Sequence, residues 1–257
     1  MFSRTFDKEG TVPRNMASDK LYMESIDAGY LKEFEATVTS VSETSLFLNR
    51  TLFYPLGGGQ NWDTGKIRWD SGELNVYEVR GRGDIEHFVG DDHGLNEGDK
   101  IHGTIDWERR YSHMKMHTAQ HLVSGIVYEM FDGARTVGNQ IHADQSRIDF
   151  NPIKFDEQMI EDLFQRANDI VEKGAQVTDC IMTREEINSI MPPDRTNMNL
   201  LPSSVRNLRV VRIGDNIDLC PCAGTHVRTL EEIGTLQFLS KKNKGKGTTR
   251  VKYTLKD

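Results

Sequence analysis

Residues 100–131 read KIHGTIDWERRYSHMKMHTAQHLVSGIVYEMF, and the period of the apolar side chains changes inside this stretch. Lys100 to Ile105 alternates as a strand does. From Arg110 to Phe131, Met114, Leu122, Ile126 and Met130 recur at helical spacing, interleaved with His117 and His121, and Gly133 stops the run. The switch near Trp107 to Arg110 divides the chain into an all-β part and a later α+β part.

Upstream, short strand patterns follow one another from Phe34: Phe34–Thr39, Ser45–Leu48, Thr51–Tyr54, Gly65–Trp69, Leu74–Val79 and Glu86–Val89. Turn signals such as Asp70-Ser71-Gly72 and Gly81-Arg82-Gly83-Asp84 separate them. The spacing predicts a small β-barrel up to about Asp106. Downstream, Ser146–Phe150 reads as a strand. Asp156–Lys173 reads as a helix with Ile160, Leu163, Phe164, Ala167 and Ile170 on one face and Gly174 at its end. Thr183-Arg184-Glu185-Glu186 has the form of a capping box, and Arg209–Ile213, Thr235–Leu239 and Arg250–Leu255 close the chain as strands. The expected class is α+β, divided into a polar lead-in or strap (residues 1–26), a β-barrel domain (27–108) and an α+β domain (109–257).

The 257 residues carry 39 acidic and 32 basic side chains, a net charge of −7, so bulk charge does not make this a nucleic-acid coat. No stretch approaches the ~18 consecutive apolar residues of a membrane span. The N-terminus lacks the apolar core of a signal peptide. Three cysteines are too few for a disulfide framework. A cytoplasmic protein without an obligate protein partner is expected.

Two residue pairs carry the chemistry. His117 and His121 stand at i and i+4 on one helix, where Cβ atoms about 5–6 Å apart let both rings reach one ion. Cys222-Ala223-Gly224-Thr225-His226 supplies a thiolate and a third imidazole from a tight loop. This borderline-soft donor set suits one Zn²⁺. His113, one turn earlier, is expected to be a packing or surface residue, and Cys180 and Cys220 spare thiols. A peptidase of the His-Glu-x-x-His kind needs a Glu where Thr118 stands, so a weaker bond, such as an activated ester, is the expected target.

These motifs together resemble the editing domain of alanyl-tRNA synthetases and its free-standing relatives, the AlaX family. The settings His117-Thr118-Ala119-Gln120-His121-Leu122 and Cys222-Ala223-Gly224-Thr225-His226-Val227 carry the resemblance. Leu52-Phe53-Tyr54-Pro55-Leu56-Gly57-Gly58-Gly59-Gln60 with Asp63 and Gly65, Asp106-Trp107 with Arg110, Arg147-Ile148-Asp149-Phe150 and Glu231-Glu232-Ile233-Gly234 extend it. It runs from about Asp27 to the C-terminus. Ala223 stands where the family has Gly, Cys220 is extra, and the residues before Asp27 have no counterpart.

The resemblance implies a hydrolase acting in trans on the aminoacyl ester of mischarged tRNA(Ala), carrying serine first and glycine second. The chain is too short to hold an aminoacylation core as well. It also implies Zn²⁺ held by His117, His121, Cys222 and His226, positioning substrate while water is activated nearby, in preference to a metal hydroxide. Thr136 is a candidate for sensing the serine hydroxyl, or a turn residue. Gly57, Gly58 and Gly59 form a tight turn or close over the aminoacyl end, with Gln60 donating hydrogen bonds. Lys241, Lys242, Lys244, Lys246 and Arg250 form a basic tail suited to tRNA phosphates. The alternatives are the same hydrolysis on Ser-tRNA(Thr) and a non-catalytic, zinc-stabilised tRNA-binding module.

Overall fold

The computed structural model describes residues 17–256, apart from 82, 194, 196, 197 and 199–203. Most of the expected lead-in, residues 1–16, lies outside them. The elements run β1 (Asp19–Lys20), β2 (Glu33–Val41), β3 (Ser45–Leu48), β4 (Arg50–Thr51), β5 (Gly65–Trp69), β6 (Gly72–Val76), β7 (Glu78–Arg80), β8 (Glu86–Phe88) and β9 (Lys100–Ile105). Then come α1 (Trp107–Met130), β10 (Arg135–Ile141), β11 (Ser146–Asn151), α2 (Glu157–Lys173), β12 (Val177–Thr183) and α3 (Arg184–Ile190). The chain ends in β13 (Asn207–Ile213), β14 (Asp218–Pro221), β15 (Thr235–Gly245) and β16 (Thr248–Lys256). No helix among the described residues is long and apolar enough to cross a membrane.

The class is α+β, as expected, and the all-β part is built on one seven-stranded sheet. Its seven strands lie in the order β6-β5-β9-β2-β3-β8-β7. Glu33–Thr37 of β2 pairs with β9, whereas Val38–Val41 pairs with β3 across a register shift at Val38/Ser40, so the sheet bends into two halves. The edges β6 and β7 are separated by Tyr77 alone. The Tyr77 N–H donates to the Phe88 carbonyl at 2.9 Å, so the chain passes directly from its ladder with β5 to its ladder with β8. The expected strand Leu74–Val79 is therefore shared between β6, paired with β5, and β7, paired with β8. Of the expected Thr51–Tyr54 strand only Thr51 pairs, together with Arg50 and in parallel with β1, because the next backbone groups are claimed elsewhere. The Leu52 carbonyl accepts from Arg110, and the Tyr54 N–H donates to Asp63 at 2.7 Å.

The later part holds two further sheets, β10-β11-β16-β15 and β12-β13-β14. Helix α1 runs between them. Asp106 caps its start by accepting the Arg109 N–H at 3.2 Å. Most of its residues from Arg110 to Val127 are buried, polar ones such as His113, Thr118 and Gln120 among them, because it has packed elements on several sides. Helix α2 starts at the Asp156 cap and stops at Gly174, whose φ is +67°. The Thr183–Glu186 capping box opens α3 as expected. β10, β12 and β14 were not legible in the sequence, because their polar residues face a cavity or an exposed edge.

Two large apolar cores result, beside a small cluster of Ile187, Met191, Leu208, Val210 and Leu219. One gathers Phe34, Val38, Leu46, Phe53, Ile67 and Ile101 under the seven-stranded sheet. The other gathers Leu122, Ile126, Ile148, Leu163, Val211 and Tyr253 around α1 and α2. Trp107 packs against both. Residues 17–30 are a docked strap. Ser18 donates to the Leu48 carbonyl at 2.7 Å, Tyr22 packs edge-on to Tyr54 at 5.2 Å, Ile26 enters the second core, and Tyr30 donates to Glu232 at 2.6 Å.

Arg110 and Asp63 form an ion pair with both side chains at 0% exposure. Arg110 also donates to the carbonyls of Gly29 (3.0 Å) and Leu52, joining α1 to the strap and to the sheet. Asp63→Asn would leave a buried guanidinium uncompensated. The expected loss is about 3–5 kcal/mol, read as a lower urea midpoint.

His87, fully buried, lies 2.9 Å from Thr51 Oγ1, and burial holds its pKa at about 4, below the ordinary 6.5. The unfolded chain takes up this proton at a higher pH than the folded protein does. The stability contribution is therefore complete above pH 6.5 and is lost as pH falls through about 4. Urea midpoints measured across that window are expected to fall, and to fall less steeply in His87→Gln.

Candidate metal centre and substrate cavity

Helix α1 presents His117 and His121, and the loop after β14 presents Cys222 and His226. Their ligand atoms all lie within 4.8 Å of one another. The Cys222 sulfur is 3.6 Å from His117 Nε2 and 3.3 Å from His226 Nε2. The structure thus brings together all four residues expected from spacing alone.

Each imidazole is oriented from behind. His117 Nδ1 is 2.8 Å from Gln60 Oε1, His121 Nδ1 is 2.8 Å from Asp218 Oδ2, and His226 Nδ1 is 3.1 Å from Thr118 Oγ1. With the Nδ1 atoms occupied, the three Nε2 atoms are left to face the thiol, as partners behind a metal-bound histidine require. The loop is fixed in turn by Arg209, which donates to the carbonyls of Cys222 (3.0 Å) and Gly224 (2.9 Å) and pairs with Asp179 at 2.7 Å.

The electrostatics suit a cation. Burial alone would raise the Cys222 thiol, but the imidazoles of His117 and His226 outweigh it and hold it well below its ordinary range. Burial would lower His121, yet Asp218 and Cys222 push it up to about 10. Burial lowers both His117 and His226. Ligation needs a thiolate and neutral imidazoles, so an ion entering the cluster displaces the His121 proton. The donor set, buried and oriented, fits a tetrahedral divalent ion of the zinc type.

A cavity of about 690 Å³ opens on the cluster. His117, His121 and Cys222 line it and His226 does not, so the centre has an open side. Thr136 on β10 lines the same cavity, its hydroxyl 2.6 Å from Ser124 Oγ. Gly57 and Gly58 line it too, in a turn closed by the Gln60 N–H donating to the Gly57 carbonyl at 2.9 Å. Gly59 sits behind that turn, and a Cβ there would collide with Asn139.

Gln60 is completely buried. Its carbonyl oxygen meets His117 and the Thr225 N–H (3.2 Å), and its amide donates to Thr225 Oγ1 at 2.9 Å. It therefore stands behind His117 and is not among the cavity-lining residues. The basic tail lies on the β15–β16 hairpin. Lys242, Lys244 and Lys246 are exposed, Lys241 is half-buried, and Arg250 is held by Asp149 at 2.7 and 2.8 Å.

His113 is a buried packing residue, and burial lowers its pKa to about 3. Cys180 is exposed. Cys220 lines the cavity, its thiol raised by burial. The orienting residues Thr118, Asp179, Arg209 and Asp218 escaped the sequence reading. Only Thr118, one residue after His117, carried a local signal.

Residues 12–109 match a family model described as tRNA synthetases class II (A), although their described part folds here mainly as the seven-stranded sheet. Residues 208–252, which include Cys222 and His226, match the threonyl and alanyl tRNA synthetase second additional domain. The fold and the site thus belong to the class of synthetase-related auxiliary domains. Among similar proteins is an alanyl-tRNA editing protein AlaX-M of Methanosarcina barkeri, 39% identical over 89% of this chain and 96% of its own. Another AlaX-M, of Saccharolobus solfataricus, is 37% identical over 93% and 99%. AlaX-L of Pyrococcus horikoshii is 33% identical over 88% of this chain and 55% of its own. The chain belongs to the AlaX family of alanyl-tRNA editing proteins. The first match begins at residue 12, so part of the lead-in expected to lack a counterpart has one.

Gly224 has no room for a side chain, since a Cβ there would overlap the His117 ring and crowd Gln60. Gly224→Ala is expected to keep the circular dichroism of the parent while weakening Co²⁺ or Zn²⁺ binding at least tenfold, measured by chelator competition.

Proposed function

We propose that the protein hydrolyses, in trans, the ester joining a wrong amino acid to tRNA(Ala), with serine the preferred and glycine a second substrate. The observation that carries this is the open cavity formed against three of the four ligand residues, in a chain similar to AlaX proteins nearly end to end. A purely structural metal site would be closed on all sides.

His117, His121, Cys222 and His226 would hold one Zn²⁺, which supplies a Lewis-acid centre for substrate groups. Gln60, Asp218 and Thr118 keep the rings from rotating, so the centre is preorganised. The Gly57–Gly58 turn brings backbone free of side chains to the cavity wall. Thr136, braced by Ser124, offers a hydroxyl to the serine side chain. Alanine lacks that partner and leaves the polar wall unpaired, which a buried site penalises heavily. Water adds to the ester carbonyl and the bond to the ribose oxygen breaks, releasing serine and tRNA with a free hydroxyl. The seven-stranded sheet (27–108) delivers the glycine turn, the α+β part (109–257) holds the centre, and the β15–β16 lysines lie against tRNA phosphates.

The test is deacylation of seryl-, glycyl- and alanyl-tRNA(Ala), beside a folded His117→Ala/Cys222→Ala variant. Rapid loss of serine, sparing of alanine and an inert variant are expected. Hydrolysis of seryl-tRNA(Thr) alone would move the substrate to the threonine branch, which shares the matched domain. Binding without turnover of any ester would leave a tRNA-binding module.

A further inference from the structure

The chain has seven more acids than bases, yet its cavity wall is basic. Lys20, Arg135 and Arg195 line it, and Asp218 is the one carboxylate among its described lining residues. That carboxylate is engaged by His121 at 2.8 Å and by Arg195 at 3.4 Å. The three cations come from separate walls. Lys20 belongs to the docked strap, Arg135 begins β10, and Arg195 follows α3. The Arg195 guanidinium lies over the Tyr128 ring, 4.9 Å from its centroid, and Tyr128 is also in the wall. Planar cations on aromatic faces suit nucleic-acid recognition.

The volume points the same way. About 690 Å³ falls in the ~300–1,000 Å³ range of drug-sized ligand sites. It exceeds what one amino acid fills and accommodates the nucleoside to which that amino acid is esterified. Once a terminal nucleoside is inside, the phosphates preceding it reach the rim. Burial already lowers the Lys20 ammonium, a cost that an approaching anion offsets.

Resting on the editing reading, we infer that Lys20, Arg135 and Arg195 form a cradle for the phosphates of the last nucleotides of the single-stranded tRNA 3′ end. The β15–β16 lysines then serve phosphates farther along the tRNA. The strap thereby becomes part of the binding wall.

Three substrates separate these roles. Seryl-adenosine has no phosphate, seryl-CCA trinucleotide has phosphates at the 3′ end only, and seryl-tRNA(Ala) has all of them. The double variant Lys20→Gln/Arg135→Gln is expected to lose at least tenfold more kcat/KM on seryl-CCA than on seryl-adenosine. Its salt slope for binding uncharged CCA should shrink by about 1.4, at about 0.7 per single-strand phosphate contact. A Lys242→Gln/Lys244→Gln/Lys246→Gln variant should show the reverse order, losing more on tRNA than on the trinucleotide. Arg195 is left out of the double variant because its loss also releases Asp218. Lys20→Gln alone carries the test should Arg135→Gln fail to fold.

Equal losses on seryl-adenosine and seryl-CCA, or no loss on either, would overturn the cradle while leaving editing intact. Wild-type protein that hydrolyses no ester but binds CCA through these cations would sink the editing reading and keep the cradle. Protein that neither hydrolyses nor binds would sink both.

Discussion

The buried pair of Arg110 and Asp63 is the constraint on which the rest of the molecule depends. Asp63 closes the segment that begins with the glycine turn, since it accepts from the Tyr54 N–H while its own N–H donates to the Tyr54 carbonyl. Arg110 stands two helical turns before His117. The pair thus sets the distance between the turn carrying Gln60 and the helix carrying the first imidazole. A buried ion pair gives little net stability over an apolar substitute, but it tolerates few geometries. Here the geometry is the useful product, because the Gln60–His117 hydrogen bond forms only if sheet and helix meet in register.

The centre is assembled from groups that cannot reach it by themselves. Four ligands come from two elements about a hundred residues apart. Their orienters come from four: the glycine turn, α1, β14 and, through Arg209, β13. This spreads the cost of ordering across both cores, so the rings are held before substrate arrives. Such preorganisation favours chemistry, because donors already in place need no rearrangement as the reaction proceeds.

Charge is distributed against the molecule's overall sign. The excess of acids keeps nonspecific adherence to nucleic acid low, while the cations at the cavity and on the hairpin are local. A hydrolase built this way meets the end of one polyanion without coating its length. Arg250, held by Asp149, shows why a count of basic residues overstates the surface available to phosphate.

The sequence by itself determined the local structure and the donor set. The change of period after Ile105, the Asp156, Thr183 and Gly174 caps, and the i, i+4 histidines are short-range facts that backbone geometry enforces. Cys222 and His226 were legible because few residue types hold a soft divalent ion. The order of the first sheet's strands was not legible, because it turned on where β2 changes partner from β9 to β3. Nor were the roles of Gln60, Asp218 and Arg209. Gln60 reads as a substrate donor beside three glycines, and becomes a buried brace only when α1 packs over it. Aspartate and arginine are ordinary surface residues in one dimension, and only burial against a specific partner turns them into parts of a site. The tertiary structure made those decisions because hydrogen bonds between residues a hundred positions apart leave no periodic trace in the chain.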